Sequence, residues 1–316
     1  LIYAEDSEYE KAFSDFNKAI ENNSNYAEAY YNRGVIYYEE KDDNDKALAD
    51  FDKAISLKTE YEDAFYYRGL IYYKGKKDYD KAISDFARAI ELNPKYIMAH
   101  YNRGKLYREK GENDKALNDF DEALKINRRL YFIYNDRGLV YQDMKKYNQA
   151  IDDYTKAISL YTKDGKVYKN RGDSYYQKKQ YDKAVEDYTA AIEYNYNDAD
   201  TFIGRGRAYH DLNQYDKSIA DYTKAISMNP KYAWAYLLRG ISYDDKGDYD
   251  RAIADYNKAL EIDPKYSDAY NNRGVAYGHK GDYNRAVVDY QKALEINPNN
   301  EVYKNNLKIA QNNAGK

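Results

Sequence analysis

Ala233–Tyr266 reads AWAYLLRGISYDDKGDYDRAIADYNKALEIDPKY, 34 residues whose pattern decides the fold. Tyr236, Gly240 and Tyr243 fall at i, i+4 and i+7, which places them on one face of a helix. Ala252, Tyr256, Ala259 and Leu260 form a second apolar stripe at helical spacing. Between the stripes lies Lys246-Gly247-Asp248, where Gly247 suits a left-handed helix end and Asp248 an N-cap. Asp263-Pro264 closes the stretch, because proline disfavours a helical residue before it and can open the next helix. The unit is a helix hairpin, each helix about a dozen residues or roughly 20 Å long.

The hairpin is repeated along the chain. Arg-Gly pairs stand at Gly34, Gly69, Gly104, Gly138, Gly172, Gly206, Gly240 and Gly274, spaced 35, 35, 34, 34, 34, 34 and 34. A fixed period of this size marks a solenoid, in which each unit buries its apolar face only against its neighbours. The small residues explain the spacing. Gly240 and Ala252 let two helices cross closely, and the tyrosines fill the grooves on either side. The aromatic that closes each hairpin is Phe51, Phe86 and Phe120 in the early units, then Tyr154, Tyr188, Tyr222, Tyr256 and Tyr290.

Composition excludes several function classes. The 316 residues carry 50 basic and 54 acidic side chains, a net charge of −4, so no excess of positive charge is available for a phosphate backbone. RNA-binding helical repeats need a basic groove. No nucleic-acid partner and no membrane insertion are expected. The chain has no cysteine, which removes disulfides and thiolate metal sites. No nucleophile elbow, phosphate loop or zinc motif occurs, so neither catalysis nor a cofactor is expected. Tyrosine, at 43 residues, is the oddity; its ring can fill a helix interface while its hydroxyl reaches water.

With Gly, Tyr, Ala, aromatic and Ala at the eighth, eleventh, twentieth, twenty-fourth and twenty-seventh positions, as in Gly172, Tyr175, Ala184, Tyr188 and Ala191, the chain resembles a tetratricopeptide repeat array. The resemblance implies an all-α superhelical solenoid of antiparallel hairpins, right-handed, with no enzymatic activity. The reading is one array over 1–300: a partial unit at 1–26, full units at 27–61, 62–96, 97–130, 131–164, 165–198, 199–232, 233–266 and 267–300, and a capping helix and tail at 301–316. Departures from the family pattern are local. The fourth position is never Trp and once His100, the seventh is always Arg, and the proline is replaced by Thr59, Arg128, Thr162 and Tyr196. The junctions near 126–132, 160–166 and 194–200 are therefore expected to be irregular. Single extra residues between Tyr37 and Ala47 and between Tyr72 and Ala82 are expected in the hairpin turns. The partial first unit, with Tyr3, Ala12, Phe16 and Ala19, lacks its first helix, which predicts further protein before Leu1. In Glu301–Gln311, Tyr303, Leu307 and Ala310 are expected to point inward and Asn305, Asn306 and Lys308 outward.

By resemblance, first helices line a concave surface through their second, fifth, ninth, twelfth and thirteenth positions. The early units place Tyr31, Tyr38, Tyr66, Tyr73 and Tyr101 there; the middle places Lys105, Arg108, Lys166, Lys169 and Arg207, with Phe132 and Asp173; the late units place Trp234, Leu237, Ile203 and Ile241. Aromatic and arginine side chains beyond what packing needs mark a binding surface. The expected partner is a protein or peptide segment in this groove, with the basic middle suited to acidic side chains or a carboxylate. The other readings are a targeting arm of a larger enzyme and weak self-association through the partial first unit. A chaperone-tail clamp is not expected, because its set of residues never assembles. The arginine of each Arg-Gly pair recurs with an Asp before the closing aromatic, as Arg239 does with Asp255. A helix-stitching pair is the reading, against an arginine ladder for acidic ligands. His210, Asp211, Asp244, Asp245 and His279 share one stripe, read as solvated groove polarity and not as a metal site, because neighbouring helices lie 8–10 Å apart.

Overall fold

The computed structural model describes the backbone of residues 2–314 and the side chains of residues 8–314. Among these residues there are helices and turns and no strand. Two compact units are present. Unit Leu1–Lys146 holds α1 (Ile2–Asn22), α2 (Ala27–Glu39), α3 (Asn44–Leu57), α4 (Glu62–Leu70), α5 (Tyr79–Leu92), α6 (Ile97–Glu109), α7 (Asn113–Ile126) and α8 (Tyr131–Asp143). Unit Tyr147–Lys316 holds α9 (Tyr147–Leu160), α10 (Gly165–Gln177), α11 (Tyr181–Glu193), α12 (Ala199–Asp211), α13 (Tyr215–Met228), α14 (Ala233–Asp245), α15 (Tyr249–Ile262), α16 (Ser267–His279), α17 (Tyr283–Ile296) and α18 (Glu301–Ala314). Within each unit, successive helices pack on one another in chain order.

The α14–α15 hairpin shows why these residues give this packing. Gly247 takes φ +86° after α14, and the Asp248 carboxylate accepts the Arg251 N–H at 3.2 Å to start α15, both as the sequence predicts. Tyr256 is 1% exposed and lies against Gly240. Burying an aromatic of this size contributes about 2–3 kcal/mol. A Cβ built on Gly240 would stand 2.6 Å from Cε1 of the buried Tyr256 ring, closer than real contacts come. A Cβ on Gly278, in contrast, meets nothing within 4 Å. Gly240→Ala should therefore destabilise by about 1–2 kcal/mol, overpacking outweighing the gain in helix propensity, while Gly278→Ala should stabilise by about 0.5–1 kcal/mol. Urea titration of the two variants checks the opposite signs; equal stabilisation would show that the crossing has slack.

Two expectations about local irregularity need correction. The junctions at 127–130 and 161–164 have the same turn as the proline-bearing ones. Of the three expected to be irregular 194–198 alone departs, with Asn195 at φ +64°, and the Thr59 junction at 58–61 departs as well, with a bend in place of the turn. The Asn127 carboxamide accepts the Arg129 N–H at 2.9 Å, as Asn93, Asn229 and Asp263 do for Lys95, Lys231 and Lys265. An Asx turn holds these four junctions, so replacing proline with Arg128 leaves the turn intact. The extra residue in 27–61 does lie in the hairpin turn, where Asp42 takes φ +48°. The extra residue in 62–96 instead widens the end of the first helix into a π-helical turn, Ile71–Lys76, ended by Lys77 at φ +54°.

The ends are also informative. In α1, Phe16 and Ala19 are half-buried; Tyr3 lies outside the described side chains. In α18, Tyr303 and Ala310 are buried and Leu307 half-buried, with Asn305 and Lys308 exposed. Asn306 does not point outward: its amide donates to Asn271 Oδ1 at 2.9 Å. Val302 (61% exposed) and Ile309 (51%) break the polar outer face expected of a cap.

Candidate functional site

The Arg-Gly arginines belong to the scaffold. Arg239 Nε and Nη2 donate to the two oxygens of Asp255 at 2.8 and 2.7 Å, and Nη1 donates to Thr223 Oγ1 at 3.0 Å. One guanidinium thus ties its own two helices, α14 and α15, to α13 of the hairpin before. The bidentate pair recurs at Arg33–Asp50, Arg68–Asp85, Arg103–Asp119, Arg171–Asp187, Arg205–Asp221 and Arg273–Asp289. The third contact recurs on Asn17, Asp52, Thr155, Thr189 and Asn257. The aspartates are buried and each is held at both oxygens by its guanidinium, which makes these arginines stitches, not a ligand ladder.

In unit Leu1–Lys146 the candidate tyrosines divide. The Tyr31 ring centroid lies 4.9 Å from Tyr61, 6.0 Å from Phe51 and 5.9 Å from Tyr67, a packing role. Tyr66 is buried, its ring 4.9 Å from Tyr96, and its hydroxyl accepts from Asn102 at 3.1 Å. Neither is free for a ligand. Further along the first-helix face, the Tyr73 hydroxyl donates to Glu109 at 2.6 Å, the Tyr101 hydroxyl to Asp136 at 2.7 Å, and Phe132 stands edge-on to Tyr101 at 5.0 Å. Lys105 Nζ sits 5.4 Å from the Tyr101 centroid and 5.9 Å from that of Tyr73, with no carboxylate at ion-pair distance among the described residues. Arg108 is paired with Asp143 at 2.6 Å.

In unit Tyr147–Lys316, Lys166 is exposed near the start of α10. Lys169 is closed on Asp173 at 2.7 Å, and Leu237 is 5% exposed in the core. The basic middle is thinner than expected: Arg108 and Lys169 are neutralised within the chain, while no carboxylate pairs with Lys105, Lys166 or Arg207 among the described residues. Arg207 and Trp234 do come together. The Arg207 guanidinium lies 4.4 Å from the Tyr176 centroid and 5.6 Å from Trp234, with no carboxylate partner among the described residues. Asp211, one helical turn on, is taken by the Tyr176 hydroxyl at 2.7 Å. Burial, foremost, pushes the Tyr176 hydroxyl up to about 12, so it remains a donor. Sequence reasoning left Tyr176 out, although tyrosine at the twelfth position of a first helix was a readable signal.

The histidine stripe is a set of clasps between neighbouring hairpins. His210 Nε2 is 2.8 Å from Asp245, and His279 Nδ1 is 3.1 Å from Asp244. Both join a twelfth to a thirteenth position one repeat on, as Tyr73–Glu109, Arg108–Asp143 and Tyr176–Asp211 do. These groups are engaged with one another rather than merely solvated. Among the described residues no cluster could hold a metal ion, and no helix is long and apolar enough to cross a membrane.

A chain of packed hairpins with a first-helix face of aromatic and charged side chains defines a helical-repeat solenoid protein. Models of the tetratricopeptide repeat match residues 27–61, 97–130, 131–164, 165–195 and 267–300, and a model described as TPR repeat matches 1–41, 76–107, 206–245 and 242–281. Between them only 62–75, 196–205 and 301–316 are unmatched. The chain belongs to the tetratricopeptide repeat family, whose members are generally non-catalytic scaffolds for protein interactions. No curated protein matches the sequence. Among solved structures, the C-terminal part of a TPR repeat-containing protein from Cytophaga hutchinsonii is 20% identical, covering 77% of this chain and 99% of its own, with a TM-score of 0.63. A tetratricopeptide repeat protein from Parabacteroides merdae is 23% identical, covering 79% and 98%, with a TM-score of 0.58. YrrB, described as a TPR protein with an unusual peptide-binding site, is 23% identical, covering 60% and 97%, with a TM-score of 0.53. At these identities the likeness is one of fold.

Proposed function

We propose that this chain is a non-enzymatic scaffold that binds peptide segments of partner proteins on its first-helix face, with Arg207 receiving an Asp or Glu side chain of the segment. The observation that carries this reading is the state of Arg207: a guanidinium held between two aromatic rings, its helix-neighbour Asp211 claimed by Tyr176, while Lys169 and Arg108 on the same kind of face are paired. Arginine flanked by aromatic rings is pre-organised, so little rotamer freedom is lost when a carboxylate arrives. Trp234 gives an apolar neighbour of the acid a surface to cover, and aromatic and arginine side chains are the usual anchors of an interface. The likeness to a peptide-binding repeat protein accords with this reading.

Panning the purified chain against a random peptide library tests it. The expected consensus contains an acidic residue beside an aromatic or large apolar one. A charge-assisted hydrogen bond contributes about 1.5–3 kcal/mol, so changing that acid to its amide should weaken binding about tenfold or more. No enrichment, or a consensus without an acid, would contradict the reading.

A further inference from the structure

The constellation around Arg207 is built twice. Counted along the repeat, Arg207 fills the ninth position and Asp211 the thirteenth, Tyr176 the twelfth of the repeat before, and Trp234 the second of the repeat after. In unit Leu1–Lys146 the same four positions hold Lys105, Glu109, Tyr73 and Phe132. In the full repeats the ninth position is cationic only at Lys105 and Arg207, and the second is aromatic only at Phe132 and Trp234. Two rare choices therefore coincide in both places.

The contacts coincide as well. In each case the tyrosine hydroxyl takes the carboxylate that would otherwise close on the cation across one helical turn: Tyr73 to Glu109 at 2.6 Å, Tyr176 to Asp211 at 2.7 Å. In each case the ring of that tyrosine lies beside the cation, at 5.9 Å for Lys105 and 4.4 Å for Arg207. A tyrosine that binds the acid through its tip and the cation through its face keeps the two charges apart, which leaves the cation available.

We propose that unit Leu1–Lys146 carries a second site, centred on Lys105, that takes the same class of segment as Arg207: an internal Asp or Glu side chain next to an aromatic or large apolar residue that covers Phe132. The chain is then divalent for acid-bearing segments. The Lys105 site is the weaker one, because an ammonium offers a point charge where a guanidinium offers a planar fork for the carboxylate. This inference rests on the reading of Arg207 as a carboxylate receiver.

The test uses the whole chain and, as probe, the acid-bearing peptide enriched on it by panning, synthesised with both ends blocked. Calorimetric titration is run on wild type, Lys105→Glu, Arg207→Glu and the double variant, with circular dichroism confirming that each is folded. Lys105→Met and Arg207→Met repeat the test without charge reversal. The expected result is two peptides bound per wild-type chain, one per chain in each single variant, the remaining site in Arg207→Glu being the weaker, and none in the double variant. One peptide per wild-type chain, abolished by Arg207→Glu and untouched by Lys105→Glu, would overturn the second site and leave the first standing. No binding to wild type would overturn both.

Discussion

Arg239→Ala is expected to lower stability by about 3–5 kcal/mol, because it strands a carboxylate that the fold has removed from water. Asp255 is 6% exposed and both its oxygens are held by that one guanidinium. Breaking a buried pair from one side costs far more than the pair contributes on balance, since the remaining charge keeps its desolvation penalty. Losing the third contact alone is a smaller matter: Thr223→Ala removes the exposed bond from Arg239 together with the hydroxyl's own bond to the Ile219 carbonyl, and should cost about 1 kcal/mol. Because Arg239 ties α13, α14 and α15, its loss should also loosen the coupling between neighbouring hairpins. Hydrogen exchange should then speed up first in those helices, as nearest-neighbour coupling in a repeat array requires. Unchanged exchange and an unchanged urea midpoint, with weakened peptide binding, would show that the arginines face a ligand after all.

Alkaline pH is expected to unfold the protein between about pH 10 and pH 12. Burial, the leading cause in each case, raises Tyr66, Tyr232, Tyr266 and Tyr290 from 10.0 to about 12, as it does Tyr176. Burial pushes Tyr188, Tyr222 and Tyr256 higher still. A folded-state value above the unfolded one means that the folded chain holds its protons more tightly. The stability from these hydroxyls is complete below pH 10 and is lost as pH rises through the folded values. With so many groups contributing in one direction, the loss should be steep. The tyrosinate absorbance band and far-ultraviolet circular dichroism, followed together, check this. Ionisation and helix loss should coincide, and full ionisation with helicity intact would contradict the burial account.

Much of the scaffold was legible in the sequence because the hairpin's requirements are local. Gly240 must face an aromatic, and that pair recurs at a fixed offset, so period and residue type suffice; the left-handed turn of Gly247 recurs as glycine at Gly111 and Gly281 but as Lys145, Lys179 and Asn213 elsewhere, and the Asp248 cap recurs at Asp282 but not at Gln180 or Gln214. The Arg239–Asp255 pair was legible for the same reason. Its third partner, Thr223, was not, because that position changes chemistry along the chain among Asn, Asp and Thr. The clasps between twelfth and thirteenth positions were hidden likewise: Tyr–Glu, Arg–Asp and His–Asp look unrelated until the hairpins are stacked. Tyr66 and Leu237 misled because the fifth position of a first helix can turn into the junction as well as toward the groove. Arg207 and Lys169 looked alike in sequence, and only the contacts reveal that one is open and the other closed.

The central claim is that the Arg207–Trp234 face receives an acid-bearing peptide, and the chain carries its own reporter. Trp234 is the only tryptophan in the sequence. Titration of the enriched peptide while following tryptophan emission should give a saturable spectral shift in wild type and none in Arg207→Glu. A peptide that binds by calorimetry yet leaves Trp234 emission unchanged, and binds Arg207→Glu as tightly as wild type, would contradict the account.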